Sequence, residues 1–305
     1  MKTYKRLNPL NDYLFIKVMG EKGDEVQLLG FLNAVLGRTG NDRLSSVEIL
    51  ENKTFSAEIL GDKSSVLDVR AELQDGTKVD IEVQLCNQGN MDRRSLFYWS
   101  KEFTKGLKSG QNYKELPNTI AINIINFQFL SSERFHTIFH LREDEDHALI
   151  LTDALEIHFL DMVRYRKQRR QDMGSEPLHR WLAWFDENSP PELIAEVVGT
   201  DEDIKAAEER MVYVTGDDEA IRAYEMRQMA LSDLTSHRDF AREEGLAEGR
   251  AKGRAEGIAK GRAEGRAEGI AETKLENARK MKAIGLTIDQ IRTITGLSSE
   301  SIKAL

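Results

Sequence analysis

Cysteine is nearly missing from this chain. Cys86 is the single one among 305 residues, which excludes an intramolecular disulfide and a zinc site built from cysteines. Its scarcity fits a reducing cytoplasm, and its place beside Leu85 predicts a packed thiol rather than a nucleophile. Long apolar runs are missing too. Nothing approaches the ~18 residues that a membrane span needs, and the start from Met1 to Arg6 lacks the apolar stretch of a signal peptide. The expectation is a cytoplasmic protein with no membrane partner. The third absence is an excess of positive charge. Lys and Arg number 43 against 52 Asp and Glu, a net charge of −9. That argues against a protein that coats nucleic acid without specificity. A local patch is present all the same: Arg164, Arg166, Lys167, Arg169 and Arg170 fall within seven residues. It reads equally as a phosphate contact or as a solvated face.

Two runs carry the strongest pattern in the chain. Leu67 to Leu73 and Val79 to Leu85 each alternate apolar and polar residues with period two, the mark of strands that bury one face. Between them lies Asp75-Gly76-Thr77, whose glycine suits a bulged hairpin loop. With those three residues as the loop, Arg70 faces Glu82, Asp68 faces Gln84, and Asp68 and Glu82 form a diagonal pair roughly 7–8 Å apart. A shift by one would set the apolar side of one strand against the polar side of the other. Asp68, Glu72, Asp80 and Glu82 therefore share one surface with Arg70 and Gln84. The residues leave two readings open. One is an oxygen-rich site for Mg²⁺ or Mn²⁺; the other is a solvated face with ion pairs such as Arg70–Glu82.

Around the hairpin the pattern is mixed. Asn11 or Asp12 caps a first helix with Leu14, Phe15 and Val18 as its apolar stripe, and a second helix runs from Asp24 to Leu36. A strand is expected around Ser46 to Phe55. Met91 to Gly106 reads as an amphipathic helix with Leu96, Phe97, Phe103 and Leu107 directed at the core. Thr119 to Phe127 is nearly continuous and β-branched, as in a strand covered on both faces, and a last strand lies between Ala148 and Phe159. This order gives an α/β sandwich with a mixed sheet. From Glu176 the chain reads as helical.

Glycine then recurs at 245, 249, 253, 257, 261, 265 and 269 in near copies of Gly-Arg-Ala-Glu. Each costs about 1 kcal/mol against alanine in a helix, and pairs such as Glu248–Lys252 return only a few tenths. The first reading is a semi-flexible helical tether, the second a dimerisation helix. Two short helices close the chain, with Thr287 and Ser298 as caps. This miniature helix-turn-helix reads DNA or simply packs.

The segments Asn8 to Phe15, Leu67 to Ala71, Asp80 to Gln84, Arg93 to Trp99 and Gly110 to Pro117, in this order and spacing, resemble the PD-(D/E)XK nuclease superfamily. More closely, the chain is similar to the Rpn family of recombination-promoting nucleases and putative transposases. The resemblance covers roughly Leu7 to Asp161 and extends into the tail. It implies a restriction-endonuclease-like α/β core with a mixed central sheet flanked by helices, followed by an α-helical C-terminal region. The implied divisions are a nuclease-like core at 1–165, a helical extension at 166–238, the glycine tether at 239–275 and the small tail at 276–305. By the same resemblance Asp68 and Glu82 ligate Mg²⁺ (or Mn²⁺), helped by the backbone carbonyl of Val83 and by Asp12. Gln84 stands where much of the superfamily has lysine, and Arg94 and Tyr98, one helical turn apart, either face the substrate or pack. The implied activity is hydrolysis of DNA phosphodiester bonds, in recombination, mobile-element biology or defence. The alternative is a non-catalytic DNA-binding or assembly protein with a decayed nuclease core. Self-association through the C-terminal helices is a further expectation.

Overall fold

The computed structural model describes residues 6–50, 68–105, 107, 110, 112–168 and 176–305. Helix α1 (Asp12–Met19) starts where Asn11 caps it, the side-chain oxygen accepting from the Leu14 amide. Helix α2 (Val26–Val35) follows. The strands are β1 (Val47–Ile49), β2 (Asp68–Leu73), β3 (Lys78–Gln84), β4 (Thr119–Ile125), β5 (His136–Phe139) and β6 (Leu155–Asp161). They form one mixed sheet in the order β1-β2-β3-β4-β6-β5. Strands β3, β4 and β6 run parallel, whereas β1, β2 and β5 each pair antiparallel with a neighbour. Only residues up to Leu50 of the strand expected at Ser46 to Phe55 lie within the described chain.

One face of the sheet is apolar. Val69, Ala71, Val79, Ile81, Val83, Ile122, Ile124 and Leu160 pack there with α1 and α2. Helices α4 (Met162–Gln168), α5 (Pro177–Phe185), α6 (Pro191–Thr200) and α7 (Glu202–Thr215) complete this layer. Its centre is aromatic. Phe31 meets Trp181 and Phe185 edge-on at centroid distances of 5.7 and 5.2 Å, contacts worth about 0.5–1.5 kcal/mol each beyond buried area. The described chain divides into two compact units, Met1–Ser236 and His237–Leu305. The residues of the expected helical extension up to Ser236 thus belong to the first unit.

Helix α3 (Met91–Thr104) covers the opposite face, and here the structure overturns an expectation. Leu96 is 50 % and Phe97 60 % exposed, while Ser95 and Glu102 are buried. The reason lies in the strands. Near β2 and β3 the surface beneath α3 is acidic, so the helix turns its polar stripe inward. Where it passes β4 and β6 it buries Met91 against Ala121, Ile125, Ile157 and Phe159.

The edge pairing of β5 with β6 links a chain of titratable groups, half-buried at His136 and Glu156 and buried at His158. His136 Nε2 lies 2.9 Å from His158 Nδ1, and His158 Nε2 bonds the Glu156 carboxylate. Burial pushes the His136 imidazole down to about 4, with His158 lowering it further and Glu156 opposing. The hydrogen bond from His158 likewise holds the Glu156 carboxyl below its usual range. A histidine whose folded pKa lies below its unfolded value near 6.5 gives full stability above that value. The contribution is lost as pH falls from there towards about 4, and the lowered Glu156 adds loss in the same direction. Chemical denaturation is therefore expected to show a lower midpoint at about pH 5 than at about pH 7.5, and His136→Phe should remove most of the difference. All three tryptophans lie in the first unit, so their fluorescence reports on it. An unchanged pH response in that variant would refute the assignment.

Helix α8 (Asp218–Ala283) is continuous through the glycine repeat, and a Cβ added at any of the seven repeat glycines would meet nothing within 4 Å. Within the second unit, Ala278 of α8 packs against Ile291 of α9 (Ile288–Thr295) and Ile302 of α10 (Ser299–Lys303). Thr287 and Gln290 form a capping box, and Ser298 caps α10.

Candidate active site

The hairpin joining β2 and β3 has a loop of the expected length, set one residue earlier in the chain than its sequence suggested. Its loop is Gln74-Asp75-Gly76: Leu73 N donates to Thr77 O at 2.9 Å, and Gly76 takes a φ of +85°. The glycine occupies the last loop position, where a left-handed residue closes a type I turn with a bulge. The observed partners are Asp68↔Glu82, Arg70↔Asp80 and Glu72↔Lys78, a shift of two residues from the expected register. A shift of two preserves the faces, so the acids still share one surface. It also brings Asp68 directly opposite Glu82 instead of diagonal to it, a Cβ separation of about 5 Å.

That surface is not solvated. Asp68, Asp80, Glu82 and Glu102 are all buried, the last contributed by α3. Arg70 Nε reaches Asp68 at 2.8 Å, Glu102 at 3.5 Å and Asp80 at 3.9 Å, while Arg94 Nε lies 3.3 Å from Glu82. Glu82, the anticipated partner of Arg70, is met by Arg94. Tyr98, one turn after Arg94, lies with its ring 5.1 Å from the guanidinium. Burial raises the Tyr98 phenol, Arg94 opposes this, and Glu82 and Asp80 add to it; the hydroxyl therefore feels the acidic cluster. Gln84 stands half-buried at the end of β3, its carbonyl accepting from Asn126 N. Val83 is buried and its side chain belongs to the apolar layer.

Asp12 has a different partner. Arg227 of α8 donates from Nε to both of its carboxylate oxygens at 2.9 and 3.0 Å, and from Nη2 at 2.7 Å. Nearby, Asn8 N donates to the Tyr224 hydroxyl, Asn11 bonds Gln228, and Cys86 Sγ lies 2.8 Å from Thr235 Oγ1. The start of α8 is thereby fastened to the head of α1 and to the residue two places beyond Gln84. The basic run is also spoken for in part. Arg164 pairs with Asp161 and Glu133, and Arg166 bonds Asp186 and Asn126; Arg169 and Arg170 lie outside the described residues.

An acid-lined hairpin on a mixed sheet flanked by helices is the arrangement anticipated above; its covering by α3 is not. The family described as PD-(D/E)XK nuclease family transposase matches residues 9–241. The chain belongs to this family. The match takes in α5, α6, α7 and the start of α8, past the roughly 7–161 stretch of the resemblance, and ends before most of the tail into which that resemblance extended. No curated protein and no solved structure matches the chain. Membership supports a nuclease-like role, and PD-(D/E)XK nucleases generally use divalent metals. The donors here fit that chemistry in kind: Asp68 and Glu82 offer hard oxygens at one place, with the carboxylates of Asp80 and Glu102 beside them. In arrangement the carboxylates are held by Arg70 and Arg94. Among the described residues, no group of three or more His, Cys, Asp or Glu is set to hold a metal. No helix among them is long and apolar enough to cross a membrane.

Sequence reasoning missed Glu102 and Arg227. Glu102 was legible in principle, because Ser95, Tyr98 and Glu102 form a polar stripe at helical spacing that an acidic strand face would select. Arg227 carries no local signal.

Proposed function

We propose that this protein is a metal-dependent DNA endonuclease that hydrolyses phosphodiester bonds beside the Asp68–Glu82 pair, with roles in recombination, mobile-element biology or defence against foreign DNA. The observation that carries the reading is the direct opposition of these two buried carboxylates on the acidic face of the hairpin. Asp68 and Glu82 would hold Mg²⁺ or Mn²⁺, with the Val83 carbonyl as a third oxygen. A bound divalent ion supplies a deprotonated water and stabilises charge on the phosphate as it reacts. The chain's own residues do the rest. Gln84 orients water by hydrogen bonding, without a titratable proton. Arg94, beside Glu82, and Tyr98, beside Arg94, position the substrate. Arg70 counters the carboxylates and must give way at Asp68 for that carboxylate to ligate. Asp12 would join the ligands only by leaving Arg227.

A second reading, a DNA-binding or assembly protein with a decayed core, is favoured by the Arg70–Asp68 contact and by the uncharged Gln84. Nicking of supercoiled plasmid separates the two. Cleavage is expected with Mg²⁺ or Mn²⁺ and not with chelator, and Glu82→Gln should abolish it. No cleavage with Mg²⁺, Mn²⁺ or Ca²⁺ over a broad set of DNAs would leave the binding reading.

A further inference from the structure

We propose that the outward face of α3 is a stacking platform for an unstacked nucleobase, which makes the substrate DNA that carries unpaired nucleotides next to the cleaved bond. The cleavage part rests on the nuclease reading above; the binding part does not. Phe97 is 60 % exposed although it sits in the middle of α3. Its ring meets Tyr98 edge-on, at a centroid distance of 5.3 Å and an interplanar angle of 82°. The Arg94 guanidinium lies 5.1 Å from the Tyr98 ring and 3.3 Å from Glu82. A continuous series of contacts therefore runs from an exposed aromatic face to a candidate metal ligand.

The charges around that face select its occupant. Arg93 and Lys101, each four residues from Phe97 and so on the same side of the helix, are both exposed. An exposed ring bracketed by two cations, in a chain of net charge −9, matches a nucleotide strand: a base on the ring, phosphates on the cations. A second copy of the chain is a poor occupant. A two-fold contact places the same patch on both partners and would bring these cations face to face. Fully paired DNA is also a poor match, because its base faces are stacked inside the duplex, whereas an unpaired base offers one to Phe97.

The full chain in chelator, where cleavage does not interfere, is measured against a single-stranded oligonucleotide containing 2-aminopurine and against the matched duplex. The single strand should bind more tightly and its 2-aminopurine emission should be quenched by stacking. Phe97→Ala should weaken single-strand binding about tenfold and abolish the quench, leaving duplex affinity unchanged. Phe97→Trp should restore both, while Tyr213→Ala, an exposed aromatic on α7, should change neither. An equal loss for duplex and single strand, no loss at all, or a loss explained by altered sedimentation would overturn the platform. Failure of every DNA to be cut under any metal would remove the nuclease reading and leave these binding results to decide the platform alone.

Discussion

Arg227→Met is expected to lower the stability of the first unit by about 3–5 kcal/mol, the usual cost of stripping one partner from a buried ion pair. Both members are buried, and the guanidinium engages both carboxylate oxygens across a separation of 215 residues. Removing the cation leaves the Asp12 carboxylate with less compensation next to Leu10 and Tyr13, where water cannot replace what was lost. The double variant Asp12→Leu, Arg227→Met should recover much of the deficit, because an apolar pair of similar volume needs no compensating charge. Tryptophan-monitored denaturation of the two variants supplies the check. Equal loss in single and double variants would mean that packing, rather than the uncompensated charge, sets the cost.

Asp68→Ala is expected to reduce metal-dependent cleavage by about a thousandfold, the scale on which removing a preorganised electrostatic group acts. The argument depends on the observed register. In the expected one Asp68 stood diagonal to Glu82; in the structure it stands opposite, and no other acid occupies that position on β2. Arg70 keeps Asp80 and Glu102 as neighbours after the substitution, so the fold should survive. Single-turnover nicking in Mg²⁺, beside the fluorescence midpoint, separates chemistry from stability. Undiminished nicking by a folded Asp68→Ala protein would take this carboxylate out of the site.

The alternation in β2 and β3 specified which residues share a face, because side-chain parity is a property of the strand alone. It did not specify which residues oppose one another. That depended on whether Gly76 closed the loop or stood at its centre, a two-residue difference that leaves the hydrophobic pattern untouched. The α3 error has a related origin. Leu96, Phe97 and Phe103 form one stripe and Ser95, Tyr98 and Glu102 another, and the choice between them belongs to the surface beneath. The acids of β2 and β3 made that choice. β5 escaped notice because four residues with partly exposed side chains carry too little alternation to register. Arg227 escaped because its partner is distant in sequence, and nothing on its own helix marks it as the arginine that will be buried.

The two guanidiniums inside the acidic cluster have a consequence for the life of the protein before it ever meets an ion. Four carboxylates packed together would repel one another and resist burial; Arg70 and Arg94 offset part of that charge from within the chain. The nascent protein can therefore close this layer using only what its own gene encodes. On the metal-dependent reading proposed above, folding and cation binding become separate events, and the layer closes before any ion is bound.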